Sequence, residues 1–157
     1  MRYWLVKSEP DVFGFHHLMD LPEQTTSWDG VRNYQARNFL RDEIAVGDRV
    51  LFYHSSCSCP GIVGITAVVR AGYPDATAFD PTAKYYDPGT YPAKPRWYAV
   101  DLQYQQALPR FLSLAELKTH PELSGMPLLA RGNRLSVMPV TREQWQFIVA
   151  LSGLVGY

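Results

Sequence analysis

The chain has 157 residues, 46% of them hydrophobic and 19% charged. That is the length of one domain with enough apolar material to oppose chain entropy, so intrinsic disorder is excluded. Fifteen Lys and Arg against fifteen Asp and Glu give a formal charge of zero, which excludes a protein that coats nucleic acid by charge alone. No run of 18 apolar residues occurs, and Met1-Arg2-Tyr3-Trp4 opens on strand-like residues; a single cytoplasmic domain over residues 1–157, monomeric and without a membrane partner, is expected.

In chain order, Arg2–Lys7 reads as an aromatic and β-branched strand stopped at Ser8-Glu9-Pro10. Ser8 and Asp11 resemble a capping box, and Val12, Phe15 and Met19 recur at helical spacing, predicting one short helix to about Asp20. Trp28-Asp29-Gly30 carries turn chemistry, which leaves a large aromatic on a loop. From Tyr34 to Glu43 a helix is predicted, with Ala36, Leu40 and Ile44 on its apolar stripe and Asn33, Arg37 and Arg41 on a polar one. Arg49–His54 and Gly61–Tyr73 read as two paired strands, with Gly61 and Gly64 permitting close backbone approach. Residues 75–94, rich in Pro, Gly, Asp and Tyr, predict a long ordered loop. A strand over Arg96–Gln106, a short helix between Ser113 and Pro121, a strand over Leu135–Val140 and a last helix capped by Thr141 and Gln144 complete the chain. In that last helix Trp145, Ile148 and Val149 face the core. Strands alternating irregularly with short helices point to an α+β or mixed open-barrel domain.

The motifs of common enzymes are absent: there is no Gly-x-Ser-x-Gly, no Walker loop and no Gly-x-Gly-x-x-Gly. His54-Ser55 without a nucleophile elbow reads as a histidine bonded at a strand end. Cys57-Ser58-Cys59 and His16-His17 match no zinc spacing, and Cys57 and Cys59 have no loop to close, so neither metal nor disulfide is expected. Charge is unevenly distributed. Five acids and no Lys or Arg lie between Ser8 and Val31, and Arg outnumbers Lys eleven to four, which favours bidentate contacts to phosphate or base edges. Arg32, Arg37 and Arg41 form the densest basic group, with Lys84, Lys94 and Arg96 as a second one on the long loop. Trp28, in a turn outside any helical or strand period, and Trp97, opening a strand after a Pro/Lys/Arg stretch, are candidates to clamp a planar base by stacking. On that reading Trp28→Ala leaves the fold intact and removes binding.

Tyr3-Trp4-Leu5-Val6-Lys7-Ser8-Glu9-Pro10, Trp28-Asp29-Gly30-Val31-Arg32-Asn33-Tyr34-Gln35-Ala36-Arg37-Asn38 and Phe52-Tyr53-His54-Ser55 resemble the EVE domain family. Pro60-Gly61-Ile62-Val63-Gly64, Pro95-Arg96-Trp97 and Arg134-Leu135-Ser136-Val137 continue the likeness over nearly the whole chain. The resemblance implies a PUA-like fold, a mixed β pseudo-barrel flanked by helices and related to YTH domains. It also implies a reader of modified nucleobases in DNA or RNA, with a flipped base in an aromatic pocket and without catalysis or cofactor. Carried over by position, that pocket draws on Lys7, Ser8, Trp28, Asn33, Tyr53, His54, Ser55, Asp80 and Trp97, with Arg32, Arg37, Arg41, Lys84 and Arg96 on the phosphates. Two alternatives stand beside it: an RNA-binding accessory of translation or RNA modification, and a small nucleotide-processing enzyme with His54 and Asp80 as acid and base. Cys59 before Pro60-Gly61 departs from the family pattern.

Overall fold

The structure, a computed structural model, describes residues 1–157. Its elements are β1 (Tyr3–Ser8), α1 (Pro10–Phe13), α2 (Phe15–Asp20), β2 (Thr25–Trp28), α3 (Tyr34–Asn38), β3 (Arg49–His54), β4 (Gly61–Pro74), β5 (Tyr98–Ser113), α4 (Leu114–Leu117), β6 (Val137–Val140) and α5 (Arg142–Leu151). All six strands form one sheet in the order β2-β5-β4-β3-β1-β6, so the α+β expectation holds. Register shifts in β4 and β5 bend the sheet, and its edges β2 and β6 do not pair with each other. No helix is long and apolar enough to cross a membrane.

The central strands are buried on both faces, and the period of two sorts their side chains. Trp4 and Val6 of β1 and Val50 and Phe52 of β3 join a core with Phe15, Leu18, Ala36 and Leu40. Leu5, Leu51 and Tyr53 point the other way, into a core with Leu117, Trp145, Ile148 and Val149. β1 and β3 are neighbours and run parallel, with Lys7 opposite Tyr53 and Ser8 opposite His54. Adjacent parallel strands end at the same edge of a sheet, so the residues that follow them, Glu9 and Ser55, emerge together. Ser55 N–H donates to the Ser8 carbonyl at 2.9 Å.

The helix predicted to Asp20 is broken into α1 and α2 at Gly14, which is extended (φ −90°, ψ 169°). A Cβ there would stand 2.6 Å from the His16 ring. The expected stripe is corrected with it: Val12 and Met19 are exposed, and Phe15 and Leu18 are the buried pair. Ser8 caps nothing; its Oγ donates to the Phe13 carbonyl at 2.5 Å. Gly64 does permit a close approach, because a Cβ on it would lie 2.2 Å from the Phe15 ring. β5 runs seven residues beyond the predicted Gln106, and Pro109 fits there because the ladder jumps from Gly64–Ala107 to Ile62–Leu112, leaving it no partner to bond. Asn33 caps α3, accepting from Ala36 N–H at 3.0 Å, and the helix continues as a π turn to Glu43.

Trp28 is the main correction. It is the last residue of β2, opposite Val100, 9% exposed, with its ring 5.5 Å from Phe52 at 81°. Because the removed ring would leave a cavity against Phe52, Trp28→Ala is expected to lower stability by about 3–5 kcal/mol. Urea unfolding checks this, and Trp28→Phe is expected to lose less.

Candidate base-binding cleft

The joint ends of β1 and β3 open into a cleft of about 760 Å³, within the usual range for ligand sites. Lys7, Ser8, Glu9 and Ser55 form its base, and Val12 and Phe13 of α1 one side. Thr26, Ser27 and Trp28 of β2 and the turn Asp29–Arg32 form another; Lys84, Tyr85, Arg134 and Ser136 complete it.

One carboxylate holds two of these walls together. The Asp75 side chain is wholly buried and accepts from Gly30 N–H at 2.8 Å, Arg32 Nη1 at 2.9 Å, Thr77 N–H at 2.9 Å and Thr77 Oγ1 at 2.6 Å. Burial pushes this carboxyl up, but the hydrogen bonds from Thr77, Gly30 and Arg32 together hold it below its ordinary value. Arg32 also reaches the Tyr85 carbonyl, at 2.7 Å from Nη2 and 3.1 Å from Nε. Gly30 has φ +74°, and a Cβ there would meet the Tyr85 ring at 2.7 Å, so the turn closes against the loop only with glycine.

The fourteen sequence-predicted residues divide sharply. Lys7, Ser8, Trp28, Ser55, Arg32 and Lys84 line the cleft; Asn33, Tyr53, His54, Asp80, Trp97, Arg37, Arg41 and Arg96 do not. Tyr53 is 3% exposed in the core beneath α5, and Lys7 Nζ lies 6.0 Å from its ring centroid. Asp80 accepts from Thr82 N–H and Oγ1 in an exposed turn, and it shares no hydrogen bond with His54. Trp97 is buried, donates from Nε1 to Asp87 at 2.7 Å and stacks on Tyr34 at 4.9 Å; Arg32 lies 5.3 Å from its ring. Its ring is therefore occupied from within.

The arginines are mostly tied down. Arg41 pairs with Asp42 at 2.7 Å and Arg96 with Asp87 at 3.0 Å, while Arg37 donates to the Arg96 carbonyl at 2.7 Å. The cleft cations outside every ion pair are Lys7, Lys84 and Arg134. Burial lowers the pKa of Lys7. At the rim, loss of water and the Asp75 charge push the Asp29 carboxyl up.

Sequence reasoning missed Phe13, Tyr85, Asp29 and Arg134. Asp29 and Arg134 stood inside the quoted motifs. Phe13 and Tyr85 had no local signal, because only the break at Gly14 and the Arg32–Tyr85 bonds carry them to the cleft.

The EVE domain family model matches residues 2–151. This chain belongs to the EVE domain family. Thymocyte nuclear protein 1 of Rattus norvegicus is 44% identical, with 96% of this chain and 73% of that protein covered. A crystal structure from Pseudomonas putida is 53% identical with TM-score 0.91, covering 96% of this chain and 99% of that one. The human THYN1 protein, crystallised in complex with 5-methylcytosine containing DNA, is 42% identical with TM-score 0.91, covering 97% of this chain and 98% of that one. The fold is the PUA-like one of these EVE domains.

His54 has a structural task. Its Nε2 accepts from Phe15 N–H at 3.1 Å, anchoring the start of α2. Only the uncharged ring accepts there, and burial first, then His16, holds its pKa below 6.5. The unfolded chain therefore binds the proton more readily, so this stabilisation is full above pH 6.5 and declines as pH falls below it. Melting temperatures from pH 7.5 to 5 are expected to fall for this reason. In His54→Gln, whose side chain accepts without titrating, the fall is expected to be shallower.

Proposed function

We propose that this EVE domain reads a methylated nucleobase in DNA, taking one base extruded from its stack into the cleft, without catalysis. The observation that carries the reading is the cleft's mixed lining: Trp28, Phe13 and Tyr85 supply rings, Ser27 and Asp29 polar groups, and Lys7, Lys84 and Arg134 cations free of ion pairs. The human relative crystallised with 5-methylcytosine containing DNA supports the ligand class.

The chemistry follows from those groups. Unstacking a base costs a few kcal/mol, which ring contacts and edge hydrogen bonds in the cleft offset. Ionised Asp29 accepts from the exocyclic amine of cytosine or adenine. A methyl group filling an apolar niche adds about 0.8 kcal/mol, or about fourfold in affinity, so the preference for the modified base is modest. Lys84 and Arg134 hold the phosphates beside it, and Lys7 lies deeper. His54 and Asp80 share no hydrogen bond and lie outside the cleft, which favours binding over acid–base chemistry.

Two measurements test the reading. Lys84→Ala is expected to weaken methylated and unmethylated DNA equally and to reduce the slope of log affinity against log salt by about one; a loss confined to methylated DNA would contradict that role. Because burial and the Asp75 charge raise the Asp29 carboxyl, affinity is expected to fall on acidification at a higher pH than an ordinary carboxylate would set. In Asp29→Asn that dependence is expected to vanish. Equal affinity for methylated DNA, unmethylated DNA and RNA of one sequence would overturn the proposed reading.

A further inference from the structure

Tyr34 is the first residue of α3, and its ring stacks on Trp97 at 4.9 Å and 23°, yet 54% of the residue is exposed. Its tilt is set from below, because Trp97 is buried and anchored to Asp87 through Nε1. Arg37 stands over this ring, with its guanidinium carbon 5.0 Å from the Tyr34 ring centroid. Arg37 is fixed only by neutral acceptors, the Arg96 carbonyl at 2.7 Å and Asn38 Oδ1 at 2.8 Å. It belongs to no ion pair. A rigid exposed ring next to a rigid, unpaired cation is the pairing that a nucleotide needs, stacking for the base and charge for its phosphate.

This pair is continuous with the cleft. Arg32 lines the cleft, lies 5.3 Å from Trp97, and Trp97 carries Tyr34. Tyr34 is the exposed end of that chain of contacts, so a strand leaving the cleft past Arg32 meets it next. We propose that Tyr34 is a stacking platform for the nucleotide adjacent to the base that is read, with Arg37 on its phosphate. The proposal rests on the base-reading function above and adds a second subsite to it. Stacking there tolerates every base, so the platform supplies affinity and fixes strand direction while the cleft supplies the choice of base.

The test uses the full chain and short single-stranded DNA with one 5-methylcytosine, its 5′ or its 3′ neighbour being either an ordinary nucleotide or an abasic one. An abasic neighbour keeps the phosphate charge and removes the ring. Wild-type protein is expected to bind about tenfold more weakly when one of the two neighbours, and only one, is abasic. Tyr34→Ala is expected to bind the intact strand as weakly as that abasic strand, to lose nothing further on it, and to keep the preference for 5-methylcytosine over cytosine. Tyr34→Phe, which retains the ring, is expected to behave as wild type. Wild-type affinity indifferent to both abasic neighbours overturns the platform while leaving the base reading intact, and so does Tyr34→Ala binding every strand as wild type does. Failure of wild-type protein to prefer 5-methylcytosine, with the abasic effect present, removes the base reading and leaves Tyr34 as a general strand contact. Failure to bind any strand removes both.

Discussion

The cleft depends on the buried Asp75 carboxylate. The turn after β2 and the loop before β5 are far apart in sequence. Asp75 accepts four hydrogen bonds that join them, two from Thr77 on its own side and two from Gly30 and Arg32 on the other. A buried carboxylate without such partners would carry a large desolvation cost, whereas hydrogen bonds to a charged group are stronger than neutral ones. The same contact that removes the cost also fixes the distance between Trp28 and Tyr85. Arg32 matters here as a brace, because its guanidinium is occupied by Asp75 and by the Tyr85 carbonyl before any ligand arrives.

A second constraint comes from the sheet. The parallel pairing of β1 with β3 brings Ser8 and Ser55 to one edge, and burial on both faces of these strands keeps that edge rigid. Phe52 shows how core and cleft share atoms: it packs beneath Trp28, Phe15 and Phe13, two of which also line the cleft. Removing a cleft ring therefore also disturbs the core, and stability and binding cannot be separated at Trp28 by truncation alone.

Most of the fold was legible because its signals are local. The β3 bounds, the α5 capping box of Thr141 and Gln144 and the buried stripe of Ala36, Leu40 and Ile44 follow from patterns a few residues long. The extension of β5 past Gln106 was not legible, since Pro109 reads as a stop and is tolerated only because β4 shifts register opposite it. The site was half legible for a related reason. Lys7, Ser8, Ser55 and Lys84 line the cleft, whereas Trp97 is directed inward by its bond to Asp87. Trp28 reads as a loop ring in the sequence because a four-residue strand followed by Asp-Gly has too short a period to recognise. Which arginines are free is a matter of partners distant in sequence, such as Asp75 for Arg32, and no spacing rule shows that.

The distribution of charge then limits how this molecule can hold a polyanion. Its formal charge is zero, and Arg32, Arg41 and Arg96 are already neutralised by Asp75, Asp42 and Asp87. With the acids Glu9 and Asp29 lining the same cleft as Lys7, Lys84 and Arg134, the residual field is small, and each phosphate contact adds only a modest salt-dependent increment. Non-specific binding by such a surface is weak. On the proposed reading, affinity then comes from contacts that do not depend on charge, above all the burial of a base against rings held rigid by the core. On that reading the cleft cations Lys7, Lys84 and Arg134 orient the strand, and the rings determine whether it stays.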